Sequence, residues 1–124
     1  MSRPSFICAN WKMNTTLSEA LDLSGELVRL VGRVRRCDIM IAPPYPYLAP
    51  ISKKLQDSQL MLGAQDLYPE SKGAFTGAVS GPMLKSVGVD YVLVGHSERR
   101  QIFGESLDSS HRRLVAALSS DLSP

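Results

Sequence analysis

Four short apolar runs punctuate the chain: Phe6 to Ala9, Ile39 to Ala42, Leu60 to Ala64 and Tyr91 to Val94. Each is four or five residues of nearly continuous hydrophobicity, with no apolar–polar alternation. A strand reads this way when both of its faces are covered, as in a parallel sheet. Each run ends abruptly at polar, Gly or Pro residues: Asn10-Trp11-Lys12, Pro43-Pro44, Gln65-Asp66 and Gly95-His96-Ser97-Glu98.

Helical periodicity fills the intervals. Thr15 or Thr16 can cap a helix, and Glu19 follows Thr16 at capping-box spacing. Leu17, Ala20, Leu21, Leu27, Val28 and Val31 then make one apolar face, closed by Gly32 and the basic Arg33, Arg35 and Arg36. Shorter helices are predicted over Tyr47 to Leu55 and over Ser80 to Val87, the latter with Met83, Leu84 and Val87 inward. A last one runs from Ser106 to Leu118, with Leu107, Leu114, Val115 and Leu118 on one face. The order is strand–helix four times over. Parallel strands joined by right-handed helical crossovers are the simplest topology for that order. No composition shift marks a boundary, so residues 1–124 read as a single domain.

Composition narrows the class. The chain has 124 residues, a formal net charge of +2, 44% hydrophobic and 21% charged residues. That is ordinary for a globular protein and excludes an intrinsically disordered one. The small net charge gives no pull towards nucleic acid or a membrane surface. No apolar run approaches the roughly 18 residues of a membrane span. The first apolar stretch is cut short by Asn10 and Lys12, so no secretion signal is read. Cys8 and Cys37 lie in strand-like apolar surroundings and are expected to be buried, reduced thiols of a cytoplasmic protein.

In parallel α/β architectures the chemistry lies beyond the carboxyl ends of the strands. After the first run stand Asn10 and Lys12; after the fourth stand His96 and Glu98, then Arg99 and Arg100. Lys12 is either a cation for an anionic group such as a phosphate or a solvated surface lysine. Asn10 either contacts a ligand or forms a turn. His96 is placed where a helix begins, with Ser97 as a candidate N-cap, which favours a neutral imidazole. Glu98 is a general acid or base, or an ion-pair partner. His111 reads as a solvated helical residue. The stretch Asp66 to Gly81, long and rich in Gly and Pro, is either a plain surface excursion or a site-forming or partner-binding loop. Gly-rich nucleotide loops, clustered metal ligands and a nucleophile elbow are all missing from the sequence.

Three motifs together carry a resemblance. They are Asn10-Trp11-Lys12-Met13-Asn14, Gly73-Ala74-Phe75-Thr76-Gly77, and Val94-Gly95-His96-Ser97-Glu98-Arg99-Arg100 with Phe103-Gly104-Glu105-Ser106. In their order and spacing the chain resembles the triosephosphate isomerase family from Phe6 to about Leu118. The resemblance implies a TIM (β/α)8 barrel fold, of which only the first four βα units are present: a half-barrel of parallel strands. It implies a cytoplasmic homodimer of glycolysis and gluconeogenesis that interconverts dihydroxyacetone phosphate and D-glyceraldehyde 3-phosphate, with no cofactor and no metal, no nucleic acid and no membrane. It further implies that Asn10 and Lys12 contact substrate and that Lys12 neutralises developing negative charge. His96 matches the neutral electrophile, a pattern of tuning already described for this family. Glu98 matches a supporting acidic residue, and Thr76 the tip of a loop reaching into the partner subunit's site. Arg99 matches an arginine held across the dimer interface by a Glu, but Ala78 stands where that Glu is usual, so a weaker dimer is expected.

No Glu of this sequence matches the family's proton-abstracting carboxylate; Glu70 and Glu105 do not. The expectation is therefore an isomerase fragment, inactive alone. The alternative is a non-catalytic, self-associating half-barrel that binds sugar phosphate weakly. Four strands cannot close a barrel of eight, so two open sheet edges and one open apolar face are expected.

Overall fold

The computed structural model describes residues 2–124. The elements follow in the expected alternation. They are β1 (Phe6–Asn10), α1 (Leu17–Val31), β2 (Asp38–Ala42), a 3-10 turn (Tyr45–Tyr47), α2 (Leu48–Lys54), β3 (Leu60–Ala64), α3 (Gly81–Ser86), β4 (Tyr91–Val92), α4 (Ser97–Gln101) and α5 (Leu107–Ser119). All four strands pair in parallel, in the order β1-β2-β3-β4. Ile7 lies opposite Ile39, Ile39 opposite Leu60, and Gly63 opposite Tyr91. The fourth run pairs regularly only over its first two residues, although the Leu93 N–H still bonds the Ala64 carbonyl at 2.9 Å.

The sheet curls. Phe6 and Tyr91 stand on its first and fourth strands, yet their ring centroids are 5.3 Å apart. This is the curvature of a half-barrel, and it separates two faces by strand alternation. The outer face carries Ile41, Leu60, Leu62, Ala64 and Val92, with Ala9 and Ile39 partly covered. Against it pack Ala20 of α1, Leu48 and Ile51 of α2, Leu84 of α3 and Ala117 of α5. The core thus sits between strands and helices. On the inner face Met40 is buried although its neighbour Gly63 has no side chain, because a Cβ at position 63 would lie within 2.4 Å of the Met40 sulfur. Gly63 therefore makes room for Met40.

α1 is bounded as the sequence predicts. The Thr16 hydroxyl accepts from the Glu19 N–H while the Glu19 carboxylate accepts from the Thr16 N–H, which completes the capping box. Ser80 caps α3 and Ser106 caps α5 in the same way, through Met83 and Ser109. Ser97 does not cap α4; His96 does, its ring nitrogen accepting from the Glu98 N–H.

Several expectations need correction. The first run is not covered on both faces: Phe6, Ile7 and Cys8 are exposed, because β1 is an edge strand with a neighbour on one side only. Cys8 is thus not buried, though its thiol lies 3.8 Å from the Met40 sulfur and this partial desolvation pushes its pKa up. Cys37 is half-buried, and both thiols are free. Met83 faces solvent, as do Leu107, Leu114, Val115 and Leu118 of the last helix, which buries Ala117 instead. Among the described residues only one sheet edge is fully open. The Ser123 carbonyl accepts from the Val92 N–H and the Ser123 N–H donates to the Asp90 carbonyl, so the segment after α5 pairs with β4 in parallel.

These burials give a direct contrast. Ile51→Ala, at a site with no exposed surface, is expected to cost roughly 2–5 kcal/mol, and Leu30→Ala, at an exposed site of α1, within about 0.5 kcal/mol. Urea denaturation followed by circular dichroism reads both. Equal midpoints for the two variants would show that α2 does not close this core.

Candidate functional site

The carboxyl ends of the four strands lie on one rim, and the residues that follow them meet there. Lys12 follows β1 and Glu98 opens α4 after β4, yet the Lys12 ammonium donates to Glu98 Oε1 at 2.6 Å. Both side chains are open to water, 54% and 41% exposed. His96 stands beside them, its Nδ1 3.8 Å from Glu98 Oε2 and 3.1 Å from the Glu98 backbone nitrogen. Because Nδ1 accepts that N–H, its lone pair is engaged, and a neutral ring carries its proton on Nε2. The hydrogen bond from Lys12 holds the Glu98 carboxyl below its ordinary range, with the Lys12 and His96 charges adding and partial desolvation opposing.

The Lys12 backbone is in the left-handed region at φ 57°, and Thr15 at φ 78°. Such angles are uncommon for residues with a Cβ and persist where the surroundings enforce them. Here Asn10 Oδ1 accepts from the Lys12 N–H at 2.9 Å, so Asn10 forms the turn. Gln65, the first residue after β3, donates from Nε2 to the Lys12 carbonyl at 2.8 Å and to the Ala42 carbonyl at 2.9 Å. Asn14 ties back to the Trp11 carbonyl, and the Tyr47 hydroxyl to the Thr15 carbonyl.

Beneath this rim lies a second set of charges. Arg99 of α4 reaches Glu105 at 2.8 Å and Asp66 at 3.3 Å. Arg113 of α5 reaches Asp66 at 2.9 Å and Glu105 at 3.6 Å. The Glu105 side chain is only 3% exposed. Burial pushes the Asp66 carboxyl up against the opposing pull of Arg113 and Arg99, and burial together with the Asp66 charge pushes the neighbouring Tyr45 phenol up. This four-charge cluster joins the loop after β3 to α4 and α5. The Arg99 guanidinium also lies 4.7 Å from the Phe103 ring centroid.

The structure therefore brings Asn10, Lys12, His96 and Glu98 together. It leaves Thr76 apart, exposed in the loop between left-handed Gly73 and Gly77, with no side-chain bond to the others among the described residues. That loop packs on itself, Tyr68 and Phe75 having ring centroids 4.5 Å apart. A cavity of about 480 Å³ opens on its other side, lined by Tyr68, Glu70, Pro82, His111 and Arg112. Among the described residues no helix is long and apolar enough to cross a membrane, and no group of three or more His, Cys, Asp or Glu side chains is placed to hold a metal.

The family model described as "Triosephosphate isomerase" matches residues 5–124. The chain belongs to the triosephosphate isomerase family. It is 45% identical over 124 residues to the triosephosphate isomerase of Thermoanaerobacter sp. (strain X514), covering 100% of this chain and 49% of that one. It is 48% identical over 122 residues to that of Chloroflexus aurantiacus, covering 98% and 49%. The crystal structure of triosephosphate isomerase from Bartonella henselae superposes with a TM-score of 0.86 at 34% identity, over 98% of this chain and 49% of that one. The chain spans about half the length of the curated relatives it matches. The first four βα units of the TIM-barrel fold, expected from the motifs, are the architecture observed.

Within that family pattern Ala78 is exposed, and Arg99 finds its carboxylates inside its own chain, at Glu105 and Asp66. Gln65, Asp66 and Arg113 were not singled out in the sequence. Gln65 and Asp66 were within reach of the strand-end rule, since they follow the third run directly. Arg113 carries no local signal and looks like any basic residue of an exposed helix.

The two sets of charges should respond differently to neutralisation. Glu105→Gln leaves Arg99 and Arg113 short of a buried partner and is expected to destabilise the chain by about 3 kcal/mol. Glu98→Gln removes a solvated carboxylate and is expected to leave the urea midpoint near wild type. A loss below about 1 kcal/mol for Glu105→Gln would show that its partners find water as readily as they find Glu105.

Proposed function

We propose that this chain supplies the electrophile and the cation of a triosephosphate isomerase site. The reaction would interconvert dihydroxyacetone phosphate and D-glyceraldehyde 3-phosphate through an enediolate, in the cytoplasm, in glycolysis and gluconeogenesis, with no cofactor. The observation that carries this reading is the convergence of Lys12, His96 and Glu98 from the ends of the first and fourth strands.

Each group has a role its chemistry permits. When a base removes the carbon-bound proton of the substrate, the electron pair moves onto the carbonyl oxygen. His96, with Nδ1 engaged, donates from Nε2 to that oxygen and passes a proton between the two oxygens of the enediolate. The Lys12 ammonium exchanges Glu98 for the negative charge of the substrate and of the transition state. Asn10 contacts substrate beside Lys12, and Glu98 steadies Lys12 and His96. Thr76 reaches the partner subunit's site in a homodimer whose interface includes Arg99.

The proton-abstracting base is not among these roles. Glu105 is committed to Arg99 and Arg113, and Glu70, in the loop after β3, lines the cavity with His111 and Arg112. The base is therefore to be supplied by residues outside this chain, and the 124 residues alone do not turn over. A missing general base costs roughly 100- to 10,000-fold in rate. The second reading is a non-catalytic, self-associating half-barrel that binds sugar phosphate weakly. The unpaired edge of β1 and the exposed Phe6 and Cys8 favour it.

An isomerase assay with glyceraldehyde 3-phosphate, run on the 124-residue chain and on Lys12→Met purified alongside, is expected to give equal background rates. Activity that disappears with Lys12→Met would mean that the chain contains its own base. A fusion to the C-terminal half of the Chloroflexus aurantiacus relative is expected to isomerise, and to lose activity with Lys12→Met or His96→Gln. A folded but inactive fusion would favour the second reading.

A further inference from the structure

Lys12 is held from three directions, and only one of them is its own side chain. Its N–H is fixed by Asn10, two residues before it. Its ammonium meets Glu98. Its carbonyl is fixed by Gln65, 53 residues away, whose single Nε2 also bonds the Ala42 carbonyl at the end of β2. The amide orientation is set by its partners: both are carbonyl oxygens, so the group facing them is the two-proton donor. Ala42 also accepts from the Trp11 N–H at 3.1 Å, so the same carbonyl anchors the residue before Lys12.

Geometry makes the third hold decisive. At φ 57° the Lys12 peptide is in a region its Cβ disfavours, and the Asn10 bond alone is a local turn that a relaxed backbone can also make. Among the described residues, only Gln65 ties the Lys12 carbonyl to the sheet. If the Lys12 φ relaxes to a negative value, rotation about its N–Cα bond swings both the carbonyl and the Cα–Cβ bond, and the ammonium leaves Glu98. We propose that Gln65 is a positioning residue that sets where the Lys12 ammonium stands, by bridging the Lys12 and Ala42 carbonyls. Its value to isomerisation rests on the function proposed above; its hold on Lys12 does not.

The test reads the Lys12–Glu98 pair directly, through the titration of Glu98. Its carboxyl is followed by carbon NMR on selectively labelled glutamate and assigned by Glu98→Gln. Lys12 and His96 are the charged or titratable groups that face it. A carboxyl held low by Lys12 keeps its pair above the ordinary carboxylate range and loses it as pH falls through the lowered midpoint. Lys12→Met therefore raises the midpoint and defines the full effect.

Gln65→Met keeps length and removes both donors. It is expected to raise the midpoint as far as Lys12→Met does, and the double variant is expected to add nothing further. Gln65→Asn, too short to span both carbonyls, is expected to shift it in the same direction, and carries the test if Gln65→Met does not fold. A wild-type midpoint in the folded Gln65 variants overturns the proposal, since a merely structural amide would alter stability and leave Glu98 alone. A further rise in the double variant overturns it too, because Gln65 would then act on Glu98 without Lys12. An inactive fusion with these titrations intact would sink the isomerase reading and leave the positioning role standing.

Discussion

The parallel register of four strands is the constraint from which the rest follows. Parallel pairing sends every strand's carboxyl end to the same rim, and the helical crossovers return the chain behind the sheet. Curvature then does what pairing alone cannot. A flat sheet would hold β1 and β4 about three strand spacings apart, roughly 14 Å, too far for an ion pair between short strand-end loops. In the curled sheet the rings of Phe6 and Tyr91 touch at one end, and Lys12 and Glu98 touch at the other. The two contacts lie at opposite ends of the same pair of strands, so the curl extends along their whole length. Met40, lying over the glycine of the neighbouring strand, fills the inner face between them.

The charges divide by burial into two kinds of work. Asp66, Arg99, Glu105 and Arg113 are largely removed from water, and each carboxylate meets both arginines. Such a cluster adds little net stability over an apolar equivalent, but it penalises any arrangement that leaves one member unpaired. It is thus suited to fixing where α4 begins, and the cap at that start is His96. Lys12 and Glu98 are the opposite case. Their pair is short but wet, so solvent screens it and it opens readily. A rigid buried cluster lies beside His96; an exposed pair keeps Lys12.

The architecture was legible because its signals are local and repeated. Continuous apolar runs, capping serines and threonines, and the Pro and Gly stops mark every strand and most helix starts. The misreadings share one cause. Phe6, Ile7, Met83, Leu107 and Leu118 are apolar residues on correctly predicted elements, and whether each is covered depends on what lies beside the element. Periodicity reports which residues share a face, not whether that face is met. The candidate site was legible in the same partial way. The strand-end rule found Asn10, Lys12, His96 and Glu98, which the fold brings together. It did not show that His96 caps its own helix, because a histidine is a rare cap and Ser97 beside it is a common one. Nor did it show Gln65, whose partners are backbone carbonyls and leave no residue pattern to read.

Lys12 itself shows why backbone and side chain have to be argued together at this site. A lysine free to turn on a flexible loop would carry its charge through a wide arc, and most of the attraction for an anion would be offset by the entropy of stopping it. The tethered left-handed backbone removes the loop's share of that freedom in advance. Its conformational cost is met by contacts from Asn10 and Gln65 that make no claim on the ammonium. The one group that does claim the ammonium, Glu98, is solvent-exposed and holds it by a screened bond. The backbone that carries the cation is consequently fixed, while the ammonium itself is weakly committed. An anion approaching the rim has to displace a single carboxylate, while the Lys12 peptide keeps its position throughout.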